Sequence, residues 1–152
     1  MEITVSRDIA TAPAAVWAVI TDLENSPEVL SGVQQVERLD DGTAFGVGTC
    51  WRETRTLFGR QATQQMEVTA IEPGSSYTVA SVSGSTTYTS VLRVDALDDA
   101  RSRLTMTFGA QPSGTVAKVL SATVGRLFQG ATRKMLERDL ADIAAAAGGH
   151  VR

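Results

Sequence analysis

What most restricts the fold of this chain is a change of rhythm at Pro112. Before it, turn signals recur roughly every 8–14 residues, as in a meander of hairpins. They stand at Gly59-Arg60, Pro73-Gly74, Gly84-Ser85 and Asp98-Asp99. After Pro112-Ser113-Gly114 the pattern stops. Residues 115 to 147 hold no proline and close on Ala144-Ala145-Ala146-Ala147-Gly148, strong helix formers ended by glycine. Such a helix is about 50 Å long at 1.5 Å per residue. The spacing predicts an antiparallel sheet followed by one long helix, an α+β chain.

Between the turn signals, strands are expected at 32–39, 48–58, 61–72, 75–83, 86–97 and 101–111. A further strand opens the chain, because Ile3, Val5 and Ile9 alternate, with Arg7 interrupting the series. Pro13 then starts a helix that places Val16, Trp17 and Ile20 on one face. Ser26-Pro27-Glu28 signals a second, shorter one. In the final helix the apolar stripe changes face. Leu120, Val124, Leu127 and Ala131 share one side, and Leu136, Leu140 and Ile143 another, rotated by roughly a third of a turn at 100° per residue. Gly125 and Gly130 lie at or before that change, so a bend or break is predicted there.

Hairpin register decides which residues face inward. A two-residue turn at Gly59-Arg60 sets Arg55 opposite Gln64, Glu53 opposite Met66 and Trp51 opposite Val68. Trp51, Glu53, Arg55, Leu57, Ala62, Gln64, Met66 and Val68 then share one face, which holds most of the large apolar groups and is expected to be buried. On the opposite face Arg52 meets Glu67 as a cross-strand ion pair. With Gly84-Ser85 as the next turn, Tyr77, Val79, Tyr88, Leu92 and Val94 continue the inner face. Leu104, Met106 and Phe108 supply it on the following strand. Glu53, Arg55 and Gln64 are the polar exceptions. A charge on a core face is costly unless paired or hydrated. They are an internal ion pair, the product of a register displaced by one residue, or polar anchors in a hydrated pocket with apolar walls.

Composition excludes several functions. At 152 residues the chain is expected to be one domain over 1–147 with a flexible tail at 148–152. The formal net charge is −3 and no basic run exists, which argues against nucleic acid. One cysteine, Cys50, permits no internal disulfide and suits a reducing cytoplasm. No signal peptide and no membrane span are visible. His150, in the tail, is the only histidine, so no histidine-based triad and no zinc site can be assembled, and neither metal nor cofactor is expected. The glycine-rich stretch 42–48 lacks the lysine of a phosphate loop and is expected to be a mobile loop, a lid over a pocket mouth. Trp17 is expected in the core, Asp22 at a helix end, and Cys50 as an outer-face bystander.

Three stretches carry a family resemblance: Ala12-Pro13-Ala14-Ala15-Val16-Trp17-Ala18-Val19-Ile20-Thr21-Asp22, Gly48-Thr49-Cys50-Trp51-Arg52-Glu53-Thr54 and Met135-Leu136-Glu137-Arg138-Asp139-Leu140. With the order strand, two short helices, six-strand meander and final helix, the whole chain resembles the SRPBCC superfamily, also called START-like or Bet v 1-like. It is most similar to the bacterial polyketide cyclase/dehydrase-like members. The resemblance implies a helix-grip fold: a curved antiparallel sheet of about seven strands around the C-terminal helix, with a small-molecule cavity between them. Aromatase/cyclase members use aromatic walls and a cavity arginine, a pattern that Trp51 and Arg55 match.

The expected function is binding or transport of a small hydrophobic or amphipathic molecule. Its site is expected to comprise Trp51, Glu53, Arg55, Gln64, Met66, Val68, Tyr77, Val79, Tyr88, Leu92, Met106, Phe108, Leu127 and Ala131. The polar head of the ligand would meet Arg55, Gln64 or a tyrosine hydroxyl. The alternative is a metal-free cyclase or dehydratase, with Glu53 exchanging protons and Arg55 stabilising an anion. A homodimer is compatible with the sequence.

Overall fold

The computed structural model describes residues 2–42, 44–57, 59–83, 85–112 and 122–148, with the side chains of residues 57, 112 and 122–128 excepted. In chain order the elements are β1 (Glu2–Ile9), α1 (Pro13–Ile20), a 3-10 turn (Leu23–Asn25), α2 (Ser26–Val29), β2 (Val33–Arg38), β3 (Cys50–Leu57), β4 (Arg60–Glu72), β5 (Ser76–Ser83), β6 (Thr86–Asp98), β7 (Arg101–Pro112) and α3 (Ala122–Ala146). The seven strands form one antiparallel sheet in the order β1-β7-β6-β5-β4-β3-β2. The expected helix-grip architecture is borne out.

Alternation produces the buried face. Ile3, Val5 and Ile9 of β1 are buried, and the intervening residues are not. Arg7 stays half-buried on the same side, opposite Leu104. Leu92 and Val94 of β6 pair with Met106 and Leu104 of β7. Leu136, Leu140, Ile143 and Ala144 of α3 close over this surface with Val16 and Ile20 of α1. Leu104 is fully buried, at 0 % exposure, and burying a leucine from water stabilises by about 1.5–3 kcal/mol.

Three expectations are corrected here. The β3–β4 turn falls between Leu57 and Arg60, one residue earlier than expected, because these two pair and Arg55 pairs with Ala62. Gly59 has φ +78°, a left-handed conformation that glycine adopts without strain. The expected register was off by two residues, a full side-chain period, so every residue kept its face. In consequence Arg52 stands opposite Gln65, and its partner is Glu37 of β2 at 2.8 Å, not Glu67. Finally, α3 runs unbroken through Gly125 and Gly130, so no break occurs there. Residues 115–121 lie outside the described residues. The loop before β3 is tied down: Phe45 packs edge-to-face on Tyr77 with centroids 4.8 Å apart, and the Gly46 amide donates to Thr49 Oγ1 at 3.0 Å.

Candidate functional site

The concave face of the sheet and α3 do not pack completely. Between them lies a cavity of about 610 Å³. On β3 the two-residue period turns Trp51, Glu53 and Arg55 toward it, and on β4 Gln64 and Met66. Tyr77 and Val79 of β5, Tyr88 and Leu92 of β6, and Met106 and Phe108 of β7 continue the wall. Ala131 of α3 faces them. Val68 is fully enclosed at 0 % exposure and does not line the cavity; it stands opposite Val79 in the β4–β5 pair. Leu127 lies outside the described side chains. Apolar residues from α1, the 3-10 turn, α2 and the position after it were missed by sequence reasoning: Val19 and Ile20, Leu23, and Val29 and Leu30. Their apolar character was visible, but nothing local to them encodes the distance to the sheet.

The polar cluster in this wall has three charged members and the Trp51 indole N–H. Arg55 Nε donates to Glu53 Oε2 at 2.8 Å. Its Nη2 and Nη1 donate to Asp139 Oδ2 and Oδ1 at 2.9 and 3.3 Å, a two-pronged contact that joins β3 to α3. Trp51 Nε1 donates to the other Glu53 oxygen, Oε1, at 3.3 Å. One guanidinium therefore stands between two carboxyl groups, and three of its five N–H groups are engaged. Asp139 is 2 % exposed, the most buried charged group described. Burial would pull the Arg55 pKa down, but the Asp139 and Glu53 charges more than offset it, so the guanidinium is held above its usual range. Burial pushes the Asp139 carboxyl up; Arg55 opposes this, and Glu53 and Asp142 reinforce it.

Asp139 carried a signal that went unused. It lies three residues after Leu136 and four before Ile143, on the inward stripe of α3, and an acid there asks for a cation across the interface just as Glu53 does on the sheet. Two other polar groups are settled by the geometry. Tyr77 donates its hydroxyl to the Ile20 carbonyl at 2.8 Å, which fastens α1 to the sheet and leaves that phenol no proton for a ligand. Burial, and after it the Glu53 charge, holds its pKa above the usual phenol range. Tyr88 stacks on Phe108 with centroids 5.8 Å apart. Across the β5–β6 pair from Tyr88, the buried Ser81 Oγ has no hydrogen-bond partner among the described residues.

Comparison with known proteins adds the following. The family model described as polyketide cyclase/dehydrase and lipid transport matches residues 1–148. No curated protein sequence matches the chain. Among solved structures, the Zhui aromatase/cyclase from Streptomyces sp. R1128 is similar at 18% identity and TM-score 0.80, covering 100% of this chain and 96% of that one. A START superfamily protein from Mycobacterium smegmatis is similar at 10% identity and TM-score 0.77, covering 97% of each chain. Truncated norcoclaurine synthase from Thalictrum flavum is similar at 14% identity and TM-score 0.75, covering 99% of this chain and 95% of that one. At these identities the likeness is one of fold.

Proposed function

This chain belongs to the polyketide cyclase/dehydrase and lipid transport family, and on that premise we propose that it binds a small hydrophobic or amphipathic molecule between its sheet and α3. The observation that carries this reading is the cavity itself, about 610 Å³ and walled largely by Met66, Val79, Leu92, Met106 and Phe108. That volume falls in the range of sites for small organic ligands, and an apolar wall with a few polar groups is their usual make-up. The neutral fluorophore N-phenyl-1-naphthylamine tests it. Saturable one-to-one binding that disappears in Ala131→Trp, whose indole enters the cavity, supports the reading; no binding, or binding untouched by that change, refutes it. Native mass spectrometry of the protein from its own host would then identify the ligand class.

A second reading has one observation in its favour: the Glu53 carboxylate lies in the cavity wall. In a cyclase or dehydratase it would exchange protons with the bound molecule. Both Glu53 oxygens already accept hydrogen bonds, from Trp51 and Arg55, which favours binding over catalysis.

A further inference from the structure

The cations in and around the cavity are not alike. Arg55 is taken up by Glu53 and Asp139. Lys134 and Arg138 also line the cavity, one turn apart on α3, and both are exposed. Neither side chain has an ion pair or hydrogen bond with any described residue. The carboxyl groups nearby are committed elsewhere: Glu53 and Asp139 to Arg55, and Asp142 to the Ser31 amide and hydroxyl at 2.9 and 2.8 Å. Arg133, next to Lys134, points the other way, toward the Thr4 carbonyl of β1 at 3.4 Å.

Gly32 shows that the Arg138 guanidinium is seated at this edge. A Cβ on Gly32 would lie 2.5 Å from Arg138 Nη2 and 3.3 Å from Arg55 Nη1. The two guanidinium nitrogens are thus no further apart than the sum of those distances, about 5.8 Å. One of this pair is neutralised by acids, and the other is not. A cation at the rim of an apolar cavity, with its head in water and no protein acid to meet, is a position that an anionic group can occupy without displacing any existing bond.

We propose that Lys134 and Arg138 form an anion-accepting rim, and that the molecule taken by the cavity is an amphipathic acid whose anionic group meets these two cations while its apolar body lies along Met66, Leu92 and Phe108. This rests on the cavity-binding reading. It moves the polar anchor from Arg55, inside the wall, to the exposed face of α3.

The test uses two probes of nearly the same body, the anion 1-anilinonaphthalene-8-sulfonate and the neutral N-phenyl-1-naphthylamine, titrated against the full chain. Arg138→Gln is expected to weaken the anion about tenfold, the order of one charge-assisted hydrogen bond, and to leave the neutral probe unchanged. Lys134→Gln acts in the same direction. Arg133→Gln removes the same charge from the same helix and is expected to change neither. Gly32→Ala keeps every charge but pushes the Arg138 guanidinium aside, and is expected to reduce anion affinity alone. If the neutral probe binds while anion affinity ignores Arg138 and Lys134, or falls equally with Arg133→Gln, the anion rim is overturned and the cavity reading stands. If neither probe binds, both fall.

Discussion

Arg55 now has a defined job that can be measured. It is the single cation between two buried carboxyl groups, and its removal leaves Asp139 without its cation and Glu53 with only the Trp51 N–H. Breaking a buried ion pair on one side costs about 3–5 kcal/mol, so Arg55→Leu is expected to lower the urea-unfolding free energy by that order. Adding Glu53→Gln and Asp139→Asn to the same chain recovers much of the loss, because no uncompensated charge remains. Asp139 gives a pH signature of its own. Its folded pKa is raised, chiefly by burial, so the folded state holds that proton more tightly than the unfolded one. Stability from this group is therefore fully present below the unfolded value of about 3.9 and declines as pH rises through the folded value. Unfolding curves collected across that window are expected to show a smaller decline in Asp139→Asn. A carbon NMR titration is expected to place the Asp139 carboxyl above the ordinary carboxylate range, and lower in Glu53→Gln.

At the scale of elements, two glycines make opposite predictions. Gly59 carries φ +78° in the β3–β4 turn, where a side chain strains the backbone, and Gly59→Ala is expected to cost about 1–2 kcal/mol. Gly130 sits inside α3 with nothing near the position of an added Cβ, and Gly130→Ala is expected to gain about 0.8–1 kcal/mol of helix propensity. Chemical denaturation of the pair checks both signs. The same elements show what the sequence could convey. Inner and outer faces of β3 and β4 were readable, because a two-residue error in register returns every side chain to the same side. The identity of cross-strand partners was not, since that depends on which two residues make the turn. Asp139 lay within reach of the stripe argument, but its pairing with Arg55 depends on the rotation of α3 over the sheet, which no local pattern encodes. The change of stripe suggested a break, but α3 is one continuous helix across Gly125 and Gly130.

At the scale of the whole molecule, binding and stability are linked. A ligand that enters only the folded cavity stabilises it by about 2.7 kcal/mol at a hundred times its dissociation constant. N-phenyl-1-naphthylamine is therefore expected to raise the melting temperature of the native chain and to leave that of Ala131→Trp unchanged. The sheet order has a further consequence, for synthesis. Strands β2 to β7 each pair with the strand before or after them, but β1 pairs with β7, with Ile3 opposite Phe108. A ribosome adding about 5–20 residues per second needs roughly 5–20 s to make the intervening chain. For that time β1 holds Ile3, Val5 and Ile9 without the strand that will pair beside them. Of the seven strands β1 thus waits longest for its partner, and within this sheet it is the segment that a chaperone would hold longest.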